Sequence, residues 1–308
     1  YIGSIIDWYA ATLFRREPVL TVEGANESGR KFFSGFVEDC DEKGTGLTDF
    51  FRRRFVEALV HGKSYLLVDF PRPVKPASSR AEEEALGASR AYLVECAVED
   101  LVNWSADEQG NYDWVVVRTT FERKELVDSG TRTKETRWTY YDRERYRVYR
   151  RIEGAGGSEE STPIAEGRHA LARQSRVPLF EIRVSDGLWL MNKAGLLQLE
   201  HFNKSNALAW ALTMGLFATP VVYSDRTWNQ IVGESYYIQL APNDKFGWTE
   251  PEGKVFQIAA ENLSRLTEEI YRICYLLTQA GGASSGSAPQ SGLSKQRDFA
   301  ITQEVLRA

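Results

Sequence analysis

Apolar positions recur along the chain with two periods, and the change from one to the other divides it. Residues 1–16, YIGSIIDWYAATLFRR, form an amphipathic helical pattern that Pro18 ends, and PVLTVEG (18–24) has strand composition. A second helix is expected over 28–40. A third is expected over TDFFRRRFVEALVHG, capped by Thr48, with Phe51, Phe55, Ala58 and Leu59 on one stripe and Gly62 as its stop. Strands are expected at 64–70, 91–96, 113–126, 136–143, 145–153 and 177–184, with a helical turn at 98–104. Residues 71–90, with three prolines and an acidic run, are expected to be an exposed loop, and the Gly-rich 154–160 a turn or loop.

After Asn192 the texture changes. Residues 193–217 form one long helical pattern without proline, and its second half is apolar nearly all round, which predicts burial on more than one side. Strands at 218–224, 235–240 and 245–250 and a short helix at 225–233, capped by Asp225, make a small insert. A second long helix follows at 261–280, with Leu263, Leu266, Ile270, Ile273, Cys274 and Leu277 at three- and four-residue spacing. Residues 281–293 are almost entirely Gly, Ser and Ala, and Ser294 caps one more helix. No internal repeat is visible. The class is α+β.

Composition narrows the function. The chain has 308 residues, 43% hydrophobic and 26% charged, with a net charge of -5. That is ordinary globular composition, long enough for two domains. The total shows no basic surface for gripping nucleic acid. Cys40, Cys96 and Cys274 are far apart and odd in number, which fits a reducing compartment and no metal or disulfide framework. The longest apolar run, Ala207–Ala218, is shorter than the about 20 residues a bilayer span needs, so no membrane partner is expected. No signal peptide is expected. The first residue is Tyr1, and the last lies inside a helical pattern, which suggests part of a longer protein.

Catalytic motifs fail on context. Gly62-Lys63-Ser64 has Glu57 where a phosphate loop needs Gly, and a helix where it needs a strand. Gly282-Ala283-Ser284-Ser285-Gly286 spells a nucleophile elbow but follows a helix instead of a strand. His61, His169 and His201 are scattered, and carboxylates such as Glu23, Glu57, Asp69 and Asp100 show no pairing. No catalytic residue, metal or cofactor is expected. The Arg- and Tyr-rich stretch 132–151 reads as an exposed hairpin face, or as a contact to a neighbouring subunit or to nucleic-acid phosphates.

The order of parts resembles the portal proteins of tailed bacteriophages: a long apolar helix, a small α/β insert, a second long helix, then a small-residue loop opening a further helix. FVEALVHGKSYLLVDFP (55–71) is similar to a segment of their wing domain. VEDLVNW (98–104), VPLFEIR (177–183) and a long helix running into ATPVVYS (218–224) also resemble the family. The resemblance implies a mixed α/β wing at 1–192, a first stem helix at 193–217 and a clip at 218–258. It further implies a second stem helix at 261–280, a tunnel loop at 281–293 and the start of a crown-directed helix at 294–308.

The function so implied is a non-enzymatic virion protein, the head–tail connector at the capsid vertex, assembled in the host cytoplasm. It would be a ring of about twelve subunits through which double-stranded DNA is packaged, retained and ejected. Its partners would be copies of itself, the terminase large subunit, the major capsid and scaffold proteins, and the neck or adaptor proteins. The resemblance assigns the DNA channel to Gly281, Gly282, Ser284, Ser285, Gly286, Ser287, Gln290, Ser291 and Gly292, with Lys295 and Arg297 just beyond, where a phosphate contact can form. It assigns the subunit interface to Phe202, Leu208, Trp210, Leu212, Met214, Ile270 and Ile273, and motor docking to Trp228, Tyr236, Tyr237, Phe246 and Trp248. Small side chains suit a loop that must let DNA pass, and a net negative chain avoids tight binding to its phosphates. Two alternatives remain: an enzyme, such as a nuclease or transferase, with its catalytic part outside this segment, or a generic structural adaptor of a viral particle.

Overall fold

A computed structural model describes residues 1–24, 26–71, 78–79, 82, 90–124, 132–153, 162–169, 171–215, 219–225, 240, 242–249, 253–276, 300, 303–304 and 306. The expected loop at 154–160, most of that at 71–90, the helix at 225–233 and the strand at 235–240 lie outside or nearly outside these. The chain divides into two units, residues 3–192 and residues 1–2 with 193–307. Each is mixed α and β.

In the first unit, helices α1 (Ile2–Leu13, from Gly3 onward), α2 (Glu27–Glu38) and α3 (Leu47–His61) precede strand β1 (Lys63–Asp69). Then come β2 (Tyr92–Cys96), a short 3-10 turn (Val98–Asp100), β3 (Leu101–Ala106), β4 (Tyr112–Lys124), β5 (Arg132–Asp142), β6 (Arg145–Glu153), β7 (Ala165–Arg168) and β8 (Leu179–Arg183). They form two antiparallel sheets, β2-β1-β8 and the meander β3-β4-β5-β6-β7. Side chains alternate faces along a strand. Tyr65, Leu67, Cys96 and Leu179 of the small sheet therefore meet Leu101, Val115, Val117, Tyr141 and Val148 of the large one in one core. Leu66 and Leu93 leave by the opposite face and pack with Cys40 of the α2–α3 loop and Phe50 of α3, flanked by Phe36. The unit is thus helices on a small sheet on a large sheet, and β1 is buried on both sides.

Several expected elements differ. Residues 18–23 have no regular structure and Val19 is 90% exposed, because strand composition without a ladder partner leaves the backbone to water. Residues 101–104 belong to β3, held by pairing with β4, so only 98–100 keep a helical turn. Helix α3 starts at Leu47 with Gly46 as cap, and Thr48 does not cap it. The preceding loop is built by carboxylates instead: Asp41 accepts from the Lys43 and Thr45 amides at 3.0 and 3.1 Å, and Asp39 from Gly44 at 3.0 Å. Phe50, and not Phe51, is the buried aromatic of α3. Strand β7 has no counterpart in the expected elements.

The α3–β1 junction follows the sequence. Gly62 has φ +81° and its amide donates to Ala58 O at 2.8 Å, the left-handed stop that glycine allows. Trp189 closes over it: its indole N–H donates to Val60 O at 2.9 Å, and a Cβ on Gly62 would lie 3.0 Å from the ring. Gly62→Ala is expected to destabilise the chain by about 1–2 kcal/mol from backbone strain alone, read as a lower urea midpoint. An unchanged midpoint would show that the junction tolerates a side chain.

Candidate functional site

The second unit is built from helix α4 (Leu190–Gly215, from Lys193 onward), the antiparallel strands β9 (Thr219–Tyr223) and β10 (Lys245–Thr249), and helix α5 (Gly253–Ile273). Helix α5 begins eight residues before the expected 261 and stops at Ile273 instead of Ala280. Its early start includes Val255 and Ile258, which are exposed and so break the stripe that marked the later turns. At its end Tyr275 takes φ +59°, which a continuing helix cannot hold.

Helices α4 and α5 are antiparallel. Lys193 Nζ donates to the Tyr275 hydroxyl at 2.7 Å and lies 4.2 Å from that ring's centre. Farther along α4, Lys204 Nζ donates to Asn262 at 2.9 Å, and it pairs with Glu200 at 2.5 Å. Farther still, Leu208 and Ala211 share an apolar groove of about 460 Å³ with Val255, Phe256, Ile258 and Ala259. His201 meets the Tyr1 ring edge-on at 5.0 Å, and burial holds its imidazole below the usual value. Leu266, Ile270 and Cys274 are buried.

The other side of α4 is bare. Leu196, Leu199, Asn203, Asn206, Trp210 and Thr213 are all exposed, follow one another at alternating spacings of three and four, and carry no charge. Leu196 is 81% and Trp210 69% exposed, and Phe202 borders the stripe at 59%. Among the described residues none covers this side of α4, where burial was expected.

The residues singled out in sequence divide as follows. Phe202, Trp210 and Leu212 are exposed on α4, Leu208 is half-buried on the α5 side, and Ile273 is half-buried. Ile270 is wholly buried inside the chain. Phe246 is exposed on β10, and Trp248 lies on the same strand. The side chains of Met214 and Trp248, all of Trp228, Tyr236 and Tyr237, and the channel residues from Gly281 to Arg297 lie outside what is described. Sequence reasoning missed Leu196, Leu199, Asn203, Asn206 and Thr213, although their three–four spacing was readable.

Elsewhere, reactive groups are tied up. A polar cleft of about 720 Å³ in the first unit is lined by Asp107, Arg143, Tyr112, Glu181 and Arg183 among others. Arg143 reaches Asp107 at 3.1 Å and Asp113 at 2.7 Å, and Arg183 reaches Glu181 at 2.8 Å. Tyr112 donates to Glu181 at 3.1 Å, and burial first, then Tyr65, raises its phenol well above the ordinary value. Burial pushes the Cys40 and Cys274 thiols up to about 11 and the Cys96 thiol up to about 12, so none is a thiolate at neutral pH. His169 Nε2 lies 2.8 Å from the Asp142 carbonyl. Among the described residues no group of His, Cys, Asp and Glu is placed to hold a metal ion, and no helix is long and apolar enough to cross a membrane.

Compared with known proteins, the sequence matches no family model and no curated protein.

The two faces of the unit predict opposite mutational behaviour. Ile270→Ala should cost about 2–5 kcal/mol, because it opens a cavity. Trp210→Ser should change the stability of the dilute chain by less than about 0.5 kcal/mol. Denaturant unfolding at low protein concentration measures both. A large loss at Trp210 would mean that the stripe is covered within the chain itself.

Proposed function

We propose that the chain is a portal subunit of a tailed bacteriophage: a non-enzymatic virion protein that closes into a ring at the capsid vertex and conducts double-stranded DNA. The observation that carries this reading is the uncharged, exposed stripe of α4 in a unit that also holds a two-stranded antiparallel sheet and helix α5. Large apolar side chains left exposed on one helix side, here Leu196, Leu199 and Trp210 with Phe202 beside them, mark an association surface. The core of an interface is depleted in charge, as this stripe is. Its three–four spacing suits knobs-into-holes packing against another helix, and Asn203 and Asn206 within it would fix register. A stripe on one side of each subunit that meets a different surface of the next makes a heterologous contact, which closes a ring when the rotation allows.

The order of the described elements fits the same reading: an α+β unit, then a long helix, two antiparallel strands and a second long helix. On this reading α4 and α5 are stem helices, residues 218–258 face the packaging motor, and residues 281–293 form the tunnel loop. The terminase large subunit, capsid and scaffold proteins, and neck proteins are the partners it implies.

Native mass spectrometry with negative-stain imaging, with and without scaffold protein, tests the ring. The expected product is a closed ring of about a dozen subunits with a central hole. Leu199→Glu together with Trp210→Glu should leave the chain folded and abolish the ring. Monomers or dimers from the unmodified chain under both conditions would overturn the proposal. Deleting residues 281–292 should spare assembly and impair DNA packaging; intact packaging would remove the role given to that loop.

A further inference from the structure

The Arg- and Tyr-rich stretch 132–151 becomes β5 and β6, and the portal reading leaves its outward side chains unused. Register defines that outer face. On β4 and β5, Val116 lies opposite Tyr140 and Arg118 opposite Trp138. On β5 and β6, Tyr140 lies opposite Arg147, Trp138 opposite Tyr149 and Thr136 opposite Arg151. On β6 and β7, Arg145 lies opposite Arg168. The intervening residues, such as Val115, Val117, Tyr141 and Val148, fill the core, so alternation turns this set away from it.

The face combines flat rings with cations. Trp114 stacks on Tyr140 with centroids 5.9 Å apart and planes at 29°. Val116, Trp138, Tyr140, Arg147 and Tyr149 line a shallow hollow of about 290 Å³, at the lower edge of the range for small-ligand sites. Arg147 is only 3.8 Å from Glu166, on an exposed edge, and Arg118 is 3.6 Å from Asp100. Among the described residues Arg145, Arg151 and Arg168 have no carboxylate partner. Asp142, the one acid of the central strand here, is occupied by the amides of Glu144 and Arg145. Glu122 and Glu153 lie on the same face opposite Lys134, and cations still outnumber acids there although the chain as a whole is acidic.

We propose that the outer face of the five-stranded sheet binds single-stranded nucleic acid, with Trp138, Tyr140 and Tyr149 stacking on bases and Arg147 and Arg151 meeting phosphates. Rings on a sheet stack on unpaired bases, and neighbouring cations track the backbone. A duplex hides its base faces and offers only phosphates, so the rings would contribute little to binding it. A second copy docking face to face would set arginines against arginines, which like-charge repulsion opposes. The inference does not depend on ring formation, because the sheet belongs to the first unit.

Fluorescence anisotropy of the full chain with labelled oligothymidylate, across a salt series, tests it, with a duplex of equal length for comparison. The single strand should bind more tightly than the duplex and quench tryptophan emission. Trp138→Ala should weaken binding about tenfold with the salt slope unchanged, and Trp138→Phe should restore most of the affinity. Arg151→Ala should lower the salt slope by about 0.7. Three results would overturn the proposal: no binding at low salt, equal affinity for duplex with Trp138→Ala silent, or face variants that alter only the association of the chain with itself. A chain that binds the single strand but never forms rings would keep this inference and sink the portal reading.

Discussion

Tyr65 and Leu66 are neighbours in the chain, and their side chains enter two different cores. Tyr65 packs with the inner face of the large sheet, and Leu66 packs with Cys40 and Phe50 beneath the helices. Strand β1 therefore has no solvent face, and a slip of one residue would exchange its two sets of side chains. The junction just before it removes that freedom. Gly62 stops α3 in a left-handed turn, Trp189 caps the last carbonyls, and β1 begins at the next residue. With β1 pinned, β8 and β2 pair on either side, and the large sheet can use only one of its faces for the core.

That constraint explains where the first unit keeps its exposed chemistry. The meander must turn Val115, Val117, Tyr141 and Val148 inward, so its outward positions, apart from the buried Thr136, keep some access to water. Trp138, Tyr140 and Tyr149 sit there at intermediate exposure. Rings at such positions are covered in part by their neighbours and keep the rest of their surface in water. The same logic applies to α4. Ala194 is buried completely, whereas among the described residues nothing covers most of Leu196 and Leu199.

Local signals were legible in the sequence and non-local ones were not. The α3–Gly62–β1 junction could be read because a helical stripe, a glycine stop and a β-rich run are all encoded within a few residues. The hairpins of β4 to β6 could be read from alternation. PVLTVEG carried the same strand composition and formed nothing, because a strand needs a partner that composition does not name. VNW went the other way, from an expected turn into β3, because β4 supplied the ladder. For α4 the apolar character was visible, yet apolar residues occur on both sides of it. Which side faced α5 depends on partners such as Asn262 and Tyr275, more than fifty residues away. Phe202 and Trp210 were therefore named from the resemblance, while Leu196 and Leu199, earlier on the same helix, were passed over.

Net charge misleads for a related reason. A total of -5 argues against a chain that grips nucleic acid everywhere, and it says nothing about one face. Alternation concentrates Arg145, Arg147 and Arg151 on one side of β6, while acids such as Asp107 and Asp113 are bound to Arg143 at the edge of the sheet. The stripe of α4 shows the opposite arrangement: Glu200 and Lys204 pair with each other off the stripe, and Leu196 to Thr213 stay neutral. An uncharged helix stripe can meet another uncharged surface on a second copy without desolvating an ion. An arginine-rich ring platform disfavours a like surface and favours a polyanion with flat, unpaired bases. The two faces thus differ in the sign of self-recognition, and that difference follows from where the fold allows charge to remain in water.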